Sequence, residues 1–391
     1  MASSAGNGQQ QVTKQMLVHE GKAILKLMIG GVVVVSGLLA SSGFVIETVK
    51  GMNPMPAPGR FVELRDEDGK AVRVHYQRRG SGNVTVVLDG GVGETSFDWD
   101  KVTEQVAPFA TVVAIDRPGL GFSTRGSKTQ PRTAEQAAKE YAEVLTKLNV
   151  PRKIVLVAHG AGGYNMRQLA DDLAQDTAAG FSVQGLVLVD SLQENLRAEL
   201  ESVSEPVRKA LEAMDKNGGT VLTLARIGLI RLITTVQSKK NEAKYSKEAL
   251  PYVEFYSPTP AHREAANAEN AALPVTEQRF RDALSAKRFS FPCVVLSHTR
   301  ADMFDSLKRQ AGVDMKTIAA LEGKWQQAQR ALATTITATP AVQIKVADAG
   351  HNIHHEKPGE IVKVVRALVN EARQPDCDDG LKAISEGTCP V

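Results

Sequence analysis

A chain of 391 residues is long enough for one large α/β domain carrying an insertion, or for two smaller domains. Its apolar fraction of 42% and charged fraction of 23% are those of a folded globular protein. A net charge of +3, with no basic stripe interleaved with aromatics, argues against a nucleic-acid partner.

The N-terminus carries the first signal. Residues 1–22 open with MASSAGNGQQQ, small and polar, and read as disordered. From Leu27 to Ile46 the chain has no charge, about the length a helix needs to cross a bilayer, so residues 23–48 read as one membrane anchor. A cleavable signal peptide would start nearer the N-terminus with a shorter apolar core, and a buried core helix is the remaining alternative. Lys14, Lys22 and Lys26 before the run favour a cytoplasmic N-terminus, although Lys50, Arg60 and Arg65 follow it. Cys377 and Cys389 bracket a short tail, 374–391, where a disulfide would tie down a loose end. Asn83-Val84-Thr85 is a glycosylation sequon. Together these point to a single-pass protein with a lumenal or extracellular catalytic domain.

After a Pro- and Gly-rich linker, 49–60, FVELRD and AVRVHYQRR read as a hairpin turning at Asp68-Gly69. NVTVVLDGG and ATVVAIDRPG are apolar runs suited to strands buried on both faces. SFDWDKVTEQVAP between them has helical spacing. TAEQAAKEYAEVLTKLNV is an amphipathic helix, with Thr133 as its cap and Pro151 beyond its end. KIVLVAHG, a helix from about Gly162 to Ala174, and the strand VQGLVLVD complete a first block, 61–190. Strand-helix alternation of this kind predicts a mostly parallel, doubly wound sheet. Residues 191–290 then form a charged, helix-rich block with no clear strand and one apolar amphipathic segment, VLTLARIGLIRLITTV, which reads as a helical lid. The alternation resumes over 291–373 with FPCVVLSHT, a helix around TIAALEGKWQQAQRALAT, the strand AVQIKVADAGH and a closing helix. Cys293, inside an apolar run, reads as core. No Walker A sequence occurs, and no G-x-G-x-x-G lies between a strand and a helix, so no nucleotide cofactor is expected.

IVLVAHGAGGYNMR, 154–167, turns sharply from strand to helix. With DGGVGETSFDW, DRPGLGFS, LVLVDSL and GHNIHHEKP in this order, the chain resembles the α/β-hydrolase superfamily over roughly residues 60–372. It looks most like the branch reading approximately EAGLG…W, DRAGLGWS, VGHSxGG, LVLVDAS and GHxIHxxxP.

The resemblance implies a nucleophile at the elbow, followed along the chain by an acid and a histidine. His351 falls at the base position, and Asp190, at the tip of the strand after the elbow, at the acid position. Asp302 is the alternative acid, after the next strand. Val92 in the glycine-rich loop and Ala161 would offer backbone N–H groups as an oxyanion hole. Ala158 and Gly162 flank the elbow, and His159 stands where that superfamily often has histidine. The nucleophile position itself is Gly160, which has no oxygen to attack a carbonyl. Ser123 and Ser191 are nearby hydroxyls whose ordinary role is turn or cap bonding. His351, His354, His355 and Glu356 cluster in sequence, but H-x-x-H-H-E is not a familiar metal spacing, so no metal is expected.

Three readings stand open. The chain is a hydrolase of ester or acyl type disarmed or altered at Gly160, a non-catalytic ligand-binding pseudo-hydrolase, or an enzyme using His351 and Asp190 for lyase or water-activating chemistry. The anchor and the apolar lid segment make a small or lipid-like apolar ester the expected substrate.

Overall fold

A computed structural model describes residue 37 and residues 41–373, apart from 128–130, 237, 285–287 and 338–341. Most of the Leu27–Ile46 run and the Cys377–Cys389 tail lie outside the described residues. Among the described residues, no single helix is long and apolar enough to cross a membrane.

Eight strands form one sheet in the order β1-β2-β4-β3-β5-β6-β7-β8. The expected hairpin is present: β1 (Arg60–Arg65) runs antiparallel to β2 (Ala71–Arg79), closed by a turn in which Gly69 takes φ +75°. Strand β2 pairs antiparallel with β4 (Thr111–Ile115), and every later pairing is parallel. The central strands β3 (Val84–Asp89), β5 (Lys153–His159), β6 (Ser182–Val189) and β7 (Cys293–His298) are buried along most of their length. That is why they read as continuous apolar runs rather than alternating ones. Strand β8 (Val342–Val346) closes the far edge.

Helices α3 (Ala134–Lys147), α4 (Gly162–Gln175) and α12 (Met315–Thr335) bury their apolar stripes against one face. Helices α2 (Asp100–Val106) and α14 (Pro358–Arg373) cover the other. Each crossover carries the chain back so that all the parallel strands end on one side, where ligands gather in open α/β sheets.

The long connection between β6 and β7 is helical: α5 (Leu196–Glu201), α6 (Glu205–Arg226), α7 (Leu229–Val236), α8 (Ser238–Lys244), α9 (Leu250–Tyr256) and α10 (Pro260–Arg279). The apolar amphipathic segment is helical but breaks at Gly228, whose φ of +70° turns α6 into α7. The helical residues 41–52 (α1) dock on this break. Gly43 lies against Gly228, and Glu47 accepts hydrogen bonds of 2.6 and 3.1 Å from buried Arg231. Two short helices were not legible in the sequence, α11 (Asp305–Ala311) and α13 (Ile353–Glu356).

Candidate active site

Strand β5 delivers Gly160 to the top of the sheet with φ +54°, the strained strand-to-helix turn of an elbow. Its N–H donates to Val189 O and its carbonyl accepts from Leu192 and Gly163, so the turn is locked on three sides. The next two glycines are forced by packing. A Cβ on Gly162 would meet Gly90 O at 2.5 Å, and one on Gly163 would meet the Ser191 side chain at 2.7 Å. At Gly160 the only near neighbour of an added Cβ is Gly91 Cα at 3.4 Å. A side chain therefore has room where the nucleophile would stand, and the sequence supplies none.

Asp190 follows β6 in a left-handed conformation, φ +46°, wholly buried. Its Oδ2 accepts the His351 Nδ1–H at 2.7 Å. The imidazole is thus oriented by a carboxylate 161 residues away, and its Nε2 makes no hydrogen bond among the described residues. The alternative acid does not do this. Asp302 is held by the Arg300 guanidinium on the loop after β7, and that pairing takes its carboxylate out of service.

Asp190 has further partners that the sequence did not reveal. His298, the last residue of β7, donates from Nδ1 to the same Oδ2 at 2.6 Å, and Trp325 Nε1 donates to Oδ1 at 3.0 Å. On its other side His298 Nε2 lies 2.8 Å from Glu322 Oε1. Burial opposes the Asp190 charge, but hydrogen bonds from His298 and His351 outweigh it and hold the carboxyl below the usual range. Burial likewise opposes charge on His298. Asp190 and Glu322 outweigh it and push its pKa up to about 10.

The loop after β3 presents Val92 beside the start of α4. Among the described residues neither the Val92 N–H nor the Ala161 N–H has an internal acceptor, and both residues line one cavity of about 20 Å³. The loop is fixed from below and above. Gly91 N–H donates to Glu94 Oε2 at 2.6 Å, and Gly93 N–H donates to Glu269 Oε2 at 3.0 Å. Buried Arg117 donates to Gly91 O at 2.7 Å, pairs with Asp89, and reaches Glu269 through two bonds of 2.7 and 2.9 Å. Glu269 belongs to α10, so the helical insertion clamps the loop that carries Val92 directly. Burial opposes the Glu269 charge, but Arg117 keeps its carboxyl below the usual range, whereas burial leaves that of Asp89 raised.

The two candidate hydroxyls are spent on the backbone. Ser123 donates to Asp116 O and accepts from His75 N–H at 2.8 Å, and Ser191 donates to Ala158 O at 3.1 Å.

The histidine cluster of the last loop splits rather than converging. Glu356 turns to Arg300 and to Gly350 N–H. His354, fully buried, packs between His159 and His355 at centroid distances of 4.1 Å each, the rings tilted by 43° and 41°, and His355 faces Asp98. His159 bridges Glu94 at 2.9 Å and the His351 carbonyl at 3.2 Å. Burial opposes its charge and Glu94 restores it, so its pKa lies above the usual range. Three sets hold possible metal-ligating atoms within 4.8 Å of one another: Glu94, His159 and His354; Asp98, His354 and His355; Asp190, His298 and His351. In the first and third sets the carboxylate already pairs with an imidazole N–H, and the contacts of the second are longer, 3.4 Å from His355 to Asp98. Buried His354, common to the first two sets, makes no hydrogen bond from either ring nitrogen among the described residues, and its Nε2 lies 3.6 Å from Glu94 Oε1.

The sheet order, the elbow and the Asp190–His351 pair define an α/β-hydrolase fold. The chain belongs to the alpha/beta hydrolase family, which matches residues 32–364. A 2-hydroxy-6-oxononadienedioate/2-hydroxy-6-oxononatrienedioate hydrolase from Burkholderia vietnamiensis is 35% identical over 103 residues, 25% of this chain and 35% of that protein. An uncharacterized Bacillus subtilis protein is 32% identical over 95 residues, 24% of this chain and 36% of that protein. The chain thus spans about a third of the length of these relatives. Among solved structures, a putative epoxide hydrolase from Pseudomonas aeruginosa matches with TM-score 0.53 and 19% identity, covering 82% of this chain and 98% of that one. A putative alpha/beta hydrolase from Nostoc matches with TM-score 0.55 and 18% identity, covering 80% and 98%. At these identities the likeness concerns the fold.

Proposed function

We propose that this protein is a membrane-associated hydrolase of the ester or acyl class whose acid, base and oxyanion donors are assembled and whose covalent nucleophile is absent. The observation that carries the reading is the 2.7 Å His351–Asp190 hydrogen bond beside an elbow with room at Gly160. A glycine cannot form an acyl-enzyme. His351 Nε2 instead takes a proton from a water standing in that space while the water oxygen bonds to the substrate carbonyl carbon. Val92 and Ala161 N–H groups hold the negative oxygen that results. The imidazolium then returns its proton to the departing alkoxide, and the carbon–oxygen ester bond breaks. Without a serine, an oxyanion hole and binding retain on the order of 10³–10⁴-fold acceleration over water, so turnover is slow.

Membrane association rests on the uncharged run Leu27–Ile46 and on the exposed Phe44, Val45, Val49 and Met52 of α1. An apolar, lipid-like ester fits a site held near a bilayer, and the helical insertion over the loop is read as its lid. The lumenal or extracellular side follows from the lysines before the run and the sequon at exposed Asn83. Gly160 itself favours a second reading, a pocket that binds such a ligand without turnover.

A panel of p-nitrophenyl esters separates the two. Turnover that is weak in the unaltered chain and lost in His351→Gln supports water activation. Rates at the uncatalysed background in both forms leave only binding, and equal rates above it exclude His351 as the base.

A further inference from the structure

His298 is a second histidine on the acid of the site. It ends β7, one strand away from Asp190, and its side chain is wholly buried. Its Nδ1 lies 2.6 Å from Asp190 Oδ2, the same oxygen that His351 reaches at 2.7 Å. In the usual arrangement the acid's oxygen serves one imidazole, and its whole charge acts on that ring. Here one oxygen serves two, while Oδ1 is taken by Trp325 Nε1 and, at 3.3 Å, by the His298 backbone N–H.

The second ring nitrogen of His298 decides its state. It lies 2.8 Å from Glu322 Oε1, within ion-pair distance though not aligned for a hydrogen bond, and Glu322 comes from α12 on the opposite side from Asp190. A buried imidazole with a carboxylate at each end is most stable with both nitrogens protonated. The groups around the pair are accounted for. Trp325 of α12 is uncharged, and its ring centroid lies 6.0 Å from that of His298 and 5.3 Å from that of His351. Gln326 of α12 donates to the His298 carbonyl at 2.9 Å. His351 also faces His159 of β5, ring centroids 4.6 Å apart, and the charge of His159 is matched by Glu94. Arg300 beyond β7 is neutralised by Asp302 and Glu356.

We propose that His298 is a positioning residue of the site: a buried cation, clamped between Asp190 and Glu322, that shares the oxygen orienting His351 and offsets part of its charge. The consequence is that His351 gives up its proton more readily than it would beside an uncompensated carboxylate. It stays a neutral base at pH values where a site without His298 would leave it protonated. This extends the reading of His351 as the base, but its test needs no turnover.

The experiment measures the pH dependence of diethyl pyrocarbonate modification at His351, by peptide mass mapping of the full chain in detergent. Only neutral imidazole reacts, so the profile gives the pH at which His351 is half protonated. His298→Gln keeps an N–H donor near Asp190 and removes the charge, and it should move that midpoint upward by about one unit. Thermal melting checks that the variant is folded. A folded His298→Gln protein whose midpoint stays within a few tenths of a unit overturns the proposal.

If His298→Gln fails to fold, the unaltered chain still decides. Long-range proton–nitrogen spectra of histidine-labelled protein should show a ring doubly protonated at pH 8 that becomes singly protonated in Glu322→Gln. A spectrum identical in the two proteins rules the cation out. The turnover assays are separate: loss of all hydrolysis would refute the proposed function and leave this result standing.

Discussion

Glu269 is where the insertion grips the loop after β3, and replacing it has a calculable cost. Its carboxylate makes two bonds to Arg117, of 2.7 and 2.9 Å, and accepts Gly93 N–H at 3.0 Å. Arg117 is 3% exposed, so Glu269→Ala leaves a buried guanidinium with Asp89 as its remaining carboxylate partner. Breaking a buried pair by removing one partner costs about 3–5 kcal/mol, and the surviving Asp89 contact places this case near 3. At about 2–3 °C per kcal/mol for a domain of this size, the melting temperature should fall by about 6–9 °C. Because Arg117 holds the Glu269 carboxyl below its usual range, this stabilisation is complete above the unfolded pKa. It is lost as pH falls through the lower folded one. The gap between unaltered protein and variant should therefore be full at pH 7 and shrink below about pH 4.5. Melting curves of the full chain in detergent at pH 7 and pH 4 read both numbers. A Glu269→Ala protein that melts within about 1 °C of the parent at pH 7 refutes the clamp.

The other expectations are simpler. In a Gly160→Ser background, Asp190→Asn should lower kcat for p-nitrophenyl esters by about 10⁴, because the wrong histidine tautomer faces the nucleophile. Asp302→Asn in the same background should leave kcat within about twofold and stability within about 0.5 kcal/mol, since its carboxylate serves only an exposed arginine. Gly162→Ala drives a methyl to 2.5 Å from Gly90 O and should cost about 2 kcal/mol or more, read as a lowered urea midpoint with an unchanged slope.

What the sequence disclosed followed from local signals. The apolar runs of β3 to β7, the Thr133 cap on α3 and the turn at Gly69 each depend on residues near one another. The elbow and its flanking glycines were equally legible, because a tight turn demands particular residues within a few positions. The choice between Asp190 and Asp302 was open in the sequence, since both follow sheet strands. The geometry separates them: the end of β6 brings Asp190 to His351, and Asp302 pairs with Arg300, two residues before it. His298 and Glu269 left no sequence signal at all. Each acts across more than 100 residues, on Asp190 and on Arg117 and Gly93, and only strand order and the fold of the insertion bring them together. The break at Gly228 has no mark in the apolar pattern, which runs through VLTLARIGLIRLITTV without interruption; the positive φ at one glycine is what divides it.

The central claim is that acid, base and oxyanion donors stand ready and only the nucleophile is missing. The most direct measurement compares the unaltered chain with Gly160→Ser, using a fluorophosphonate probe and p-nitrophenyl ester turnover. An added Cβ meets only Gly91 Cα at 3.4 Å, so the variant should fold, with a strain cost of about 1 kcal/mol for a side chain at φ +54°. The account predicts covalent labelling at position 160 in the variant alone, with ester turnover well above that of the parent. A folded variant that neither labels nor turns over faster contradicts it.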